Sequence, residues 1–117
     1  MHIIFGDERK DLPDNYTILE LDQFRFPGDD KIVTAYCVVE DIPLGDFTTL
    51  DAYIKIHHDL MEQYRTRNWD YCQNAIKELT GYWNGALDSF YENLGQRVEK
   101  FIEDPPGDNW DGVMLRL

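Results

Sequence analysis

The hydrophobic period of this chain changes once, across "PLGD" at 43–46, and that change sets what it can fold into. Before it, apolar residues alternate. In "YTILELDQFRF", Thr17, Leu19 and Leu21 point one way and Ile18, Glu20 and Asp22 the other, the period-two pattern of a half-buried strand. "MHIIFG" reads as a shorter strand stopped by Gly6. "KIVTAYCVVEDI" reads as a long one, rich in β-branched and aromatic residues. "PGDD" at 27–30 is a turn, with Pro27 fixing φ and Gly28 permitting positive φ, so the two long strands run antiparallel.

After the change the repeat is near 3.6. Leu50, Tyr53, Ile54, His57, Leu60, Met61 and Tyr64 form one helical stripe, with Thr48 or Thr49 as its cap and Arg65 and Arg67 at its C-terminal end. A second helix restarts at Asn68 with Trp69, Cys72, Ile76 and Leu79 inside, and Gly81 ends it. A third runs through about Ala86 to Glu103 and stops at Pro105 and Pro106. Strands first and helices after is the order of an α+β fold. The expectation is one domain over 1–117. It opens with a small antiparallel sheet of about three strands in residues 1–42, within a strand-rich region spanning 1–46. A three-helix region over 47–104 and a tail over 105–117 follow. The tail carries Trp110, Val113, Met114 and Leu115, so it is expected to pack, with Gly112 allowing a bend and "VMLR" adding a short edge strand.

Charge narrows the partners. With 23 acidic and 11 basic residues the formal charge is −12, and residues 1–49 hold 11 of the acids and only 4 of the bases. Such a surface repels nucleic-acid backbones and anionic membranes and attracts proteins with basic surfaces. Cys37 and Cys72 lie far apart in apolar patterns and are expected as buried free thiols, which fits a reducing cytoplasm. "MHIIFGDERK" is too short in its apolar run for a signal peptide, and no segment approaches a membrane span.

Chemistry-bearing groups are few. His58 and Glu62 sit four apart on one helical face, a spacing that can share a metal, but His57 falls on the apolar face and no third ligand is in sight. Glu20 and Asp22 are candidate paired carboxylates on one strand face, without a nucleophile, electrophile or phosphate loop to serve. Glu40, Asp41 and Asp46 surround a turn containing Pro43 and Gly45. No dinucleotide, P-loop, zinc or nucleophile-elbow motif occurs, so no cofactor and no metal is expected. The candidate protein-binding residues are therefore Glu20, Asp22, Glu40, Asp41 and Asp46 for their charge, with Trp83 and Trp110 as aromatic anchors.

Two strings carry a resemblance. "YRTRNWDYCQNAI" at 64–76 and "RVEKFIEDPPGDNWDGV" at 97–113 resemble the C-terminal helical tail of bacterial class III adenylate and guanylate cyclases, over about residues 50–113. The resemblance implies a tetratricopeptide-like helical hairpin with Tyr64 before its turn and Trp69 after it. Arg97, the pair Pro105–Pro106 and the closing Trp110-Asp111-Gly112-Val113 follow in the same order. Nothing in residues 1–49 resembles the metal- and purine-binding segments of those enzymes, so the resemblance implies the helices and not cyclisation. The whole chain, through "YTILELDQF" and "VTAYCVVEDIPLGDF", is also similar to small proteins of marine phages and bacteria.

The functional expectation is a non-catalytic protein–protein interaction or regulatory module in the cytoplasm, that of a host if the chain is of phage origin. Two alternatives come from other classes. One is an acidic decoy that occupies a nucleic-acid groove on a host enzyme; the other is a small metal- or nucleotide-binding enzyme using Glu20, Asp22 or His58.

Overall fold

The computed structural model describes residues 2–6, 17–25, 28, 31–39 and 47–115. Its elements are β1 (His2–Phe5), β2 (Thr17–Arg25), β3 (Ile32–Val39), α1 (Phe47–Arg65), α2 (Trp69–Leu79), α3 (Asp88–Glu103) and β4 (Val113–Leu115). The order of strands and then helices is the α+β arrangement the period change predicts. The sheet runs β1-β3-β2-β4. β1 and β2 flank β3 antiparallel, whereas β4 joins β2 parallel, Gln23 opposite Val113 and Arg25 opposite Leu115. The tail thus supplies the expected edge strand, and its direction makes the sheet mixed.

Alternation along β2 holds only as far as Leu21. The register slips between Glu20, opposite Tyr36, and Gln23, opposite Thr34, so Leu21 and Asp22 together oppose Ala35. This bulge breaks the strict alternation that would put Asp22 on the same face as Glu20. One face of the sheet, through Leu19, Leu21, Ala35, Cys37 and Val39, joins a single core with the helices. α1 contributes Leu60, Met61 and Tyr64, α2 contributes Cys72, Ala75 and Leu79, and α3 contributes Phe90, Tyr91, Leu94 and Val98.

Helix ends follow local chemistry. α1 begins at Phe47, so Thr48 and Thr49 lie in its first turn and do not cap it. Its C-terminus closes with Asn68 N–H donating to the Gln63 carbonyl and Arg67 N–H to the Tyr64 carbonyl, around Arg67 at φ 68°. That is the usual glycine-centred cap with an arginine at its left-handed position. The Asn68 side chain then accepts from Tyr71 N–H and opens α2 after a three-residue turn. Between α2 and α3, the Asp88 carboxylate takes the Gly81 N–H at 2.7 Å and ties the connection to the start of α3.

Cys37 and Cys72 are both free and buried, as their apolar surroundings predict. Burial pushes the Cys72 thiol up to about 11, which leaves it inert as a nucleophile. Among the described residues no helix is long and apolar enough to cross a membrane.

Candidate functional site

Ile3 and Phe5 share the helix-facing side of the sheet with Cys37 and Ala35, their partners on β3. Yet Cys37 and Ala35 are buried while Ile3 is 43% and Phe5 44% exposed. α1 packs on β2, and α3 faces β1 only across open space. What remains is a groove of about 640 Å³ between β1 and the first half of α3. Its floor and β1 wall are apolar, Ile3, Phe5, Leu21, Phe24, Val33 and Ala35, and Phe90 adds to them from α3. Asp22, Ser89 and Asn93 supply the polar groups. Phe5 and Phe24 face each other tilted, ring centres 6.4 Å apart.

The bulge brings Asp22 to this groove, and α3 fixes it there. Arg97 donates Nη1–H to Asp22 Oδ1 at 3.1 Å and Nη2–H to Oδ2 at 3.0 Å, a two-point clamp that orients the carboxylate. The Arg97 guanidinium also lies over the Tyr64 ring, 5.5 Å from its centre, and contacts Met114 Sδ at 3.2 Å. One arginine therefore ties β2, α1 and the tail to α3. Asp22 is a fixed charge with a dedicated counter-ion, which suits positioning better than proton transfer.

The far side of β2 is closed by similar devices. The Glu20 carboxylate pairs with Arg65 at the end of α1, and Arg25 pairs with Asp111 at 3.3 Å. Asp111 also accepts from Val113 N–H, and this bond, more than Arg25, holds its carboxyl below the usual range. Arg67 donates to the carbonyls of Pro106, Gly107 and Trp110 and lies over the Trp110 ring. Trp110 packs against Tyr64, Trp69 and Phe101, centre distances 5.3, 5.8 and 5.2 Å.

A buried relay reaches the same edge from inside. Trp83 Nε1–H donates to the Tyr91 hydroxyl at 3.1 Å, which lies 2.8 Å from His57 Nδ1, while His57 Nε2 lies 2.5 Å from the Glu20 carbonyl. A carbonyl only accepts, so Nε2 carries the proton and Nδ1 accepts from Tyr91. Every member is then satisfied with a neutral imidazole, and desolvation lowers the His57 pKa accordingly.

The sequence candidates divide in this geometry. Glu20 and Asp22 do not form an exposed strand face: each is mostly covered and held by its own arginine. Trp83 is 0% exposed and offers no surface to a partner, because the connection between α2 and α3 turns it into the core. Trp110 is half-buried, with one side against the helices and the other beneath Arg67. Glu40, Asp41 and Asp46 lie outside the described residues. His57 is buried at 1% and His58 is exposed, 3.3 Å from Glu62, as the helical phase predicts. Among the described residues no three His, Cys, Asp or Glu side chains converge to hold a metal ion. The groove residues Ile3, Phe5, Ser89 and Asn93 carry no signal in the sequence; "HIIF" reads as ordinary core strand until the reach of the helices is known.

No family model matches the chain, and neither the curated proteins nor the solved structures contain a significant match. The resemblance of residues 50–113 to cyclase tails therefore rests on the quoted strings alone.

Proposed function

We propose that the chain is a non-catalytic protein-interaction module whose binding site is the groove between β1 and α3, and that its partner presents a basic surface. The observation that carries this reading is the exposure of Ile3 and Phe5 on a face whose members Leu19, Leu21, Ala35, Cys37 and Val39 are buried. An apolar groove with a few placed polar groups is what a protein presents to a ligand it must hold. The net charge of −12 supplies long-range attraction for cationic surfaces. The decoy reading gains nothing from Glu20 and Asp22, since each is paired with an arginine. The enzyme reading needs a reactive group in the cleft, and the titratable group lining the groove, Asp22, is clamped. A cytoplasmic setting belongs to the proposal, supported by the two reduced cysteines.

The test compares immobilised protein with its Phe5→Asp variant in capture from lysate at low and high salt. The expected result is a protein held by the first, absent from the second and released as salt rises. Identical captures by both would refute the groove as the site.

A further inference from the structure

We infer that the groove takes an extended segment of the partner, added to the sheet as a strand beside β1, with apolar side chains at alternate positions and lysine or arginine flanking them. This rests on the interaction-module reading and specifies its mode.

β1 occupies one end of the sheet, and among the described residues no strand lies beyond it. In an antiparallel pair, alternate residues turn their N–H and C=O groups away from the partner strand, so β1 presents donors and acceptors outward. Proteins usually blunt such an edge with lysine, proline, a bulge or an inward charge. "HIIF" has none of them. An incoming strand finds hydrogen bonds on β1 and, directly alongside, the groove. Register follows from β1 itself: Ile3 and Phe5 face the groove while Ile4 faces the other side, so residues i and i+2 of the occupant enter the groove together.

Charge decides between occupants. Next to the groove residue Asn93, α3 carries the exposed Glu92. The sequence following β1, "DERKDLPD", holds 4 acids and 2 bases. A second copy of this chain would set −12 against −12. A cationic segment meets the opposite situation on every count.

The probes are short peptides with phenylalanine, leucine, isoleucine or valine alternating with threonine and lysines at both ends, titrated into the full-length protein by calorimetry and amide NMR. The expected result is saturable binding that slows hydrogen exchange at Ile3 to Phe5. Peptide N-methylation at every second residue should weaken binding about tenfold or more, with the intervening positions indifferent, and exchanging the lysines for glutamates should weaken it similarly. Binding abolished by Phe5→Asp yet indifferent to N-methylation overturns strand addition and leaves the groove reading standing. No binding by any peptide at about 1 mM overturns the strand mode. If a lysate partner is nevertheless captured through Phe5, the interaction module survives without it. A wild-type dimer in sedimentation that Phe5→Asp dissociates assigns the edge to a second copy and overturns the proposal.

Discussion

Beyond β2 the sheet ends in arginine–carboxylate pairs, a buried imidazole and packed aromatic rings; at β1, among the described residues, it ends in Ile3 and Phe5 open to solvent. Both are edges of one sheet, four strands wide among the described residues. At the β2 side, β4 pairs with residues 23–25, and His57 reaches the Glu20 carbonyl that β4 does not. Arg65, Arg67 and Arg25 hold that seam, drawn from α1, the turn after it and β2, and Arg97 of α3, which clamps Asp22 beside the groove, reaches Met114 of β4 from within. Little of this is specified by neighbours in sequence: Arg97 and Asp22 are separated by 75 positions. An edge finished with so many specific contacts is built to stay shut. Among the described residues the outer side of β1 shows no such closure, and the proposed binding site lies there.

If the seam is a closure, breaking it should unfold the chain. Arg97→Ala leaves Asp22 unpaired in a largely covered site, and a loss of about 2–4 kcal/mol is expected, below the range for fully buried pairs because both partners keep some solvent. Urea midpoints measure it, and Asp22→Asn in the Arg97→Ala background should restore some of the loss. A change under about 0.5 kcal/mol would mean the clamp is a surface ion pair and the contrast between edges false. Trp110→Ala tests the aromatic half of the seam. Complete burial would make the loss about 3–5 kcal/mol; a half-buried ring should lose about 2–3 kcal/mol in the same measurement.

Gly112 is where the tail passes the end of α1. Its φ is +81°, and an added Cβ would stand 2.8 Å from Arg65 Cγ. Gly112→Ala is therefore expected to destabilise by about 1–3 kcal/mol through strain and displacement of Arg65 from Glu20. The melting temperature reads it, and an unchanged value would show that the tail does not bear on α1.

The relay predicts acid sensitivity with a definite sign. His57 is neutral when folded and its pKa lies below the ordinary 6.5, so the unfolded chain binds the proton more readily. Its stabilising contribution is full above about pH 6.5 and is lost as pH falls toward the folded-state pKa, at up to about 1.4 kcal/mol per pH unit. Burial is the largest influence on it. Two charges also bear on it from nearby: the Glu20 carboxylate raises the pKa and His58 lowers it further. Urea denaturation between about pH 7 and 5 should show the decline, and His57→Gln, which does not titrate, should flatten it. An equal decline in both proteins would move the acid sensitivity to other groups.

The sequence made one half of this contrast partly legible and hid the other. The period change near residue 45 carries the α+β order, and the helical phase alone separates buried His57 from exposed His58. "VMLR" is recognisable as a strand, but its parallel pairing depends on where three helices return the chain. The bulge at Leu21–Asp22 is invisible in a pattern that alternates cleanly through both residues. Trp83 and Trp110 look equivalent in sequence, and only the turn glycines and Asn84 at positive φ show that one is folded inward. Ile3 and Phe5 are hidden for the opposite reason. Apolar residues in a strand read as core, and nothing local records that the helices end before reaching them.

The smallest effect is the most discriminating. Phe5→Asp should change stability by no more than about 0.5 kcal/mol, because the ring is 44% exposed and meets the Phe24 ring only at a tilted 6.4 Å. A core position cannot behave this way: burying a carboxylate without a partner costs several kcal/mol, and the protein would melt early. If Phe5 belonged to the core, its stability loss would rival that of Trp110, and the two edges would differ only in chemistry. If it belongs to a binding edge, the substitution leaves urea and thermal unfolding nearly unchanged while capture through the groove disappears. Paired with Arg97→Ala, which should unfold the chain readily, the measurement separates an edge kept shut for stability from one kept open for a partner.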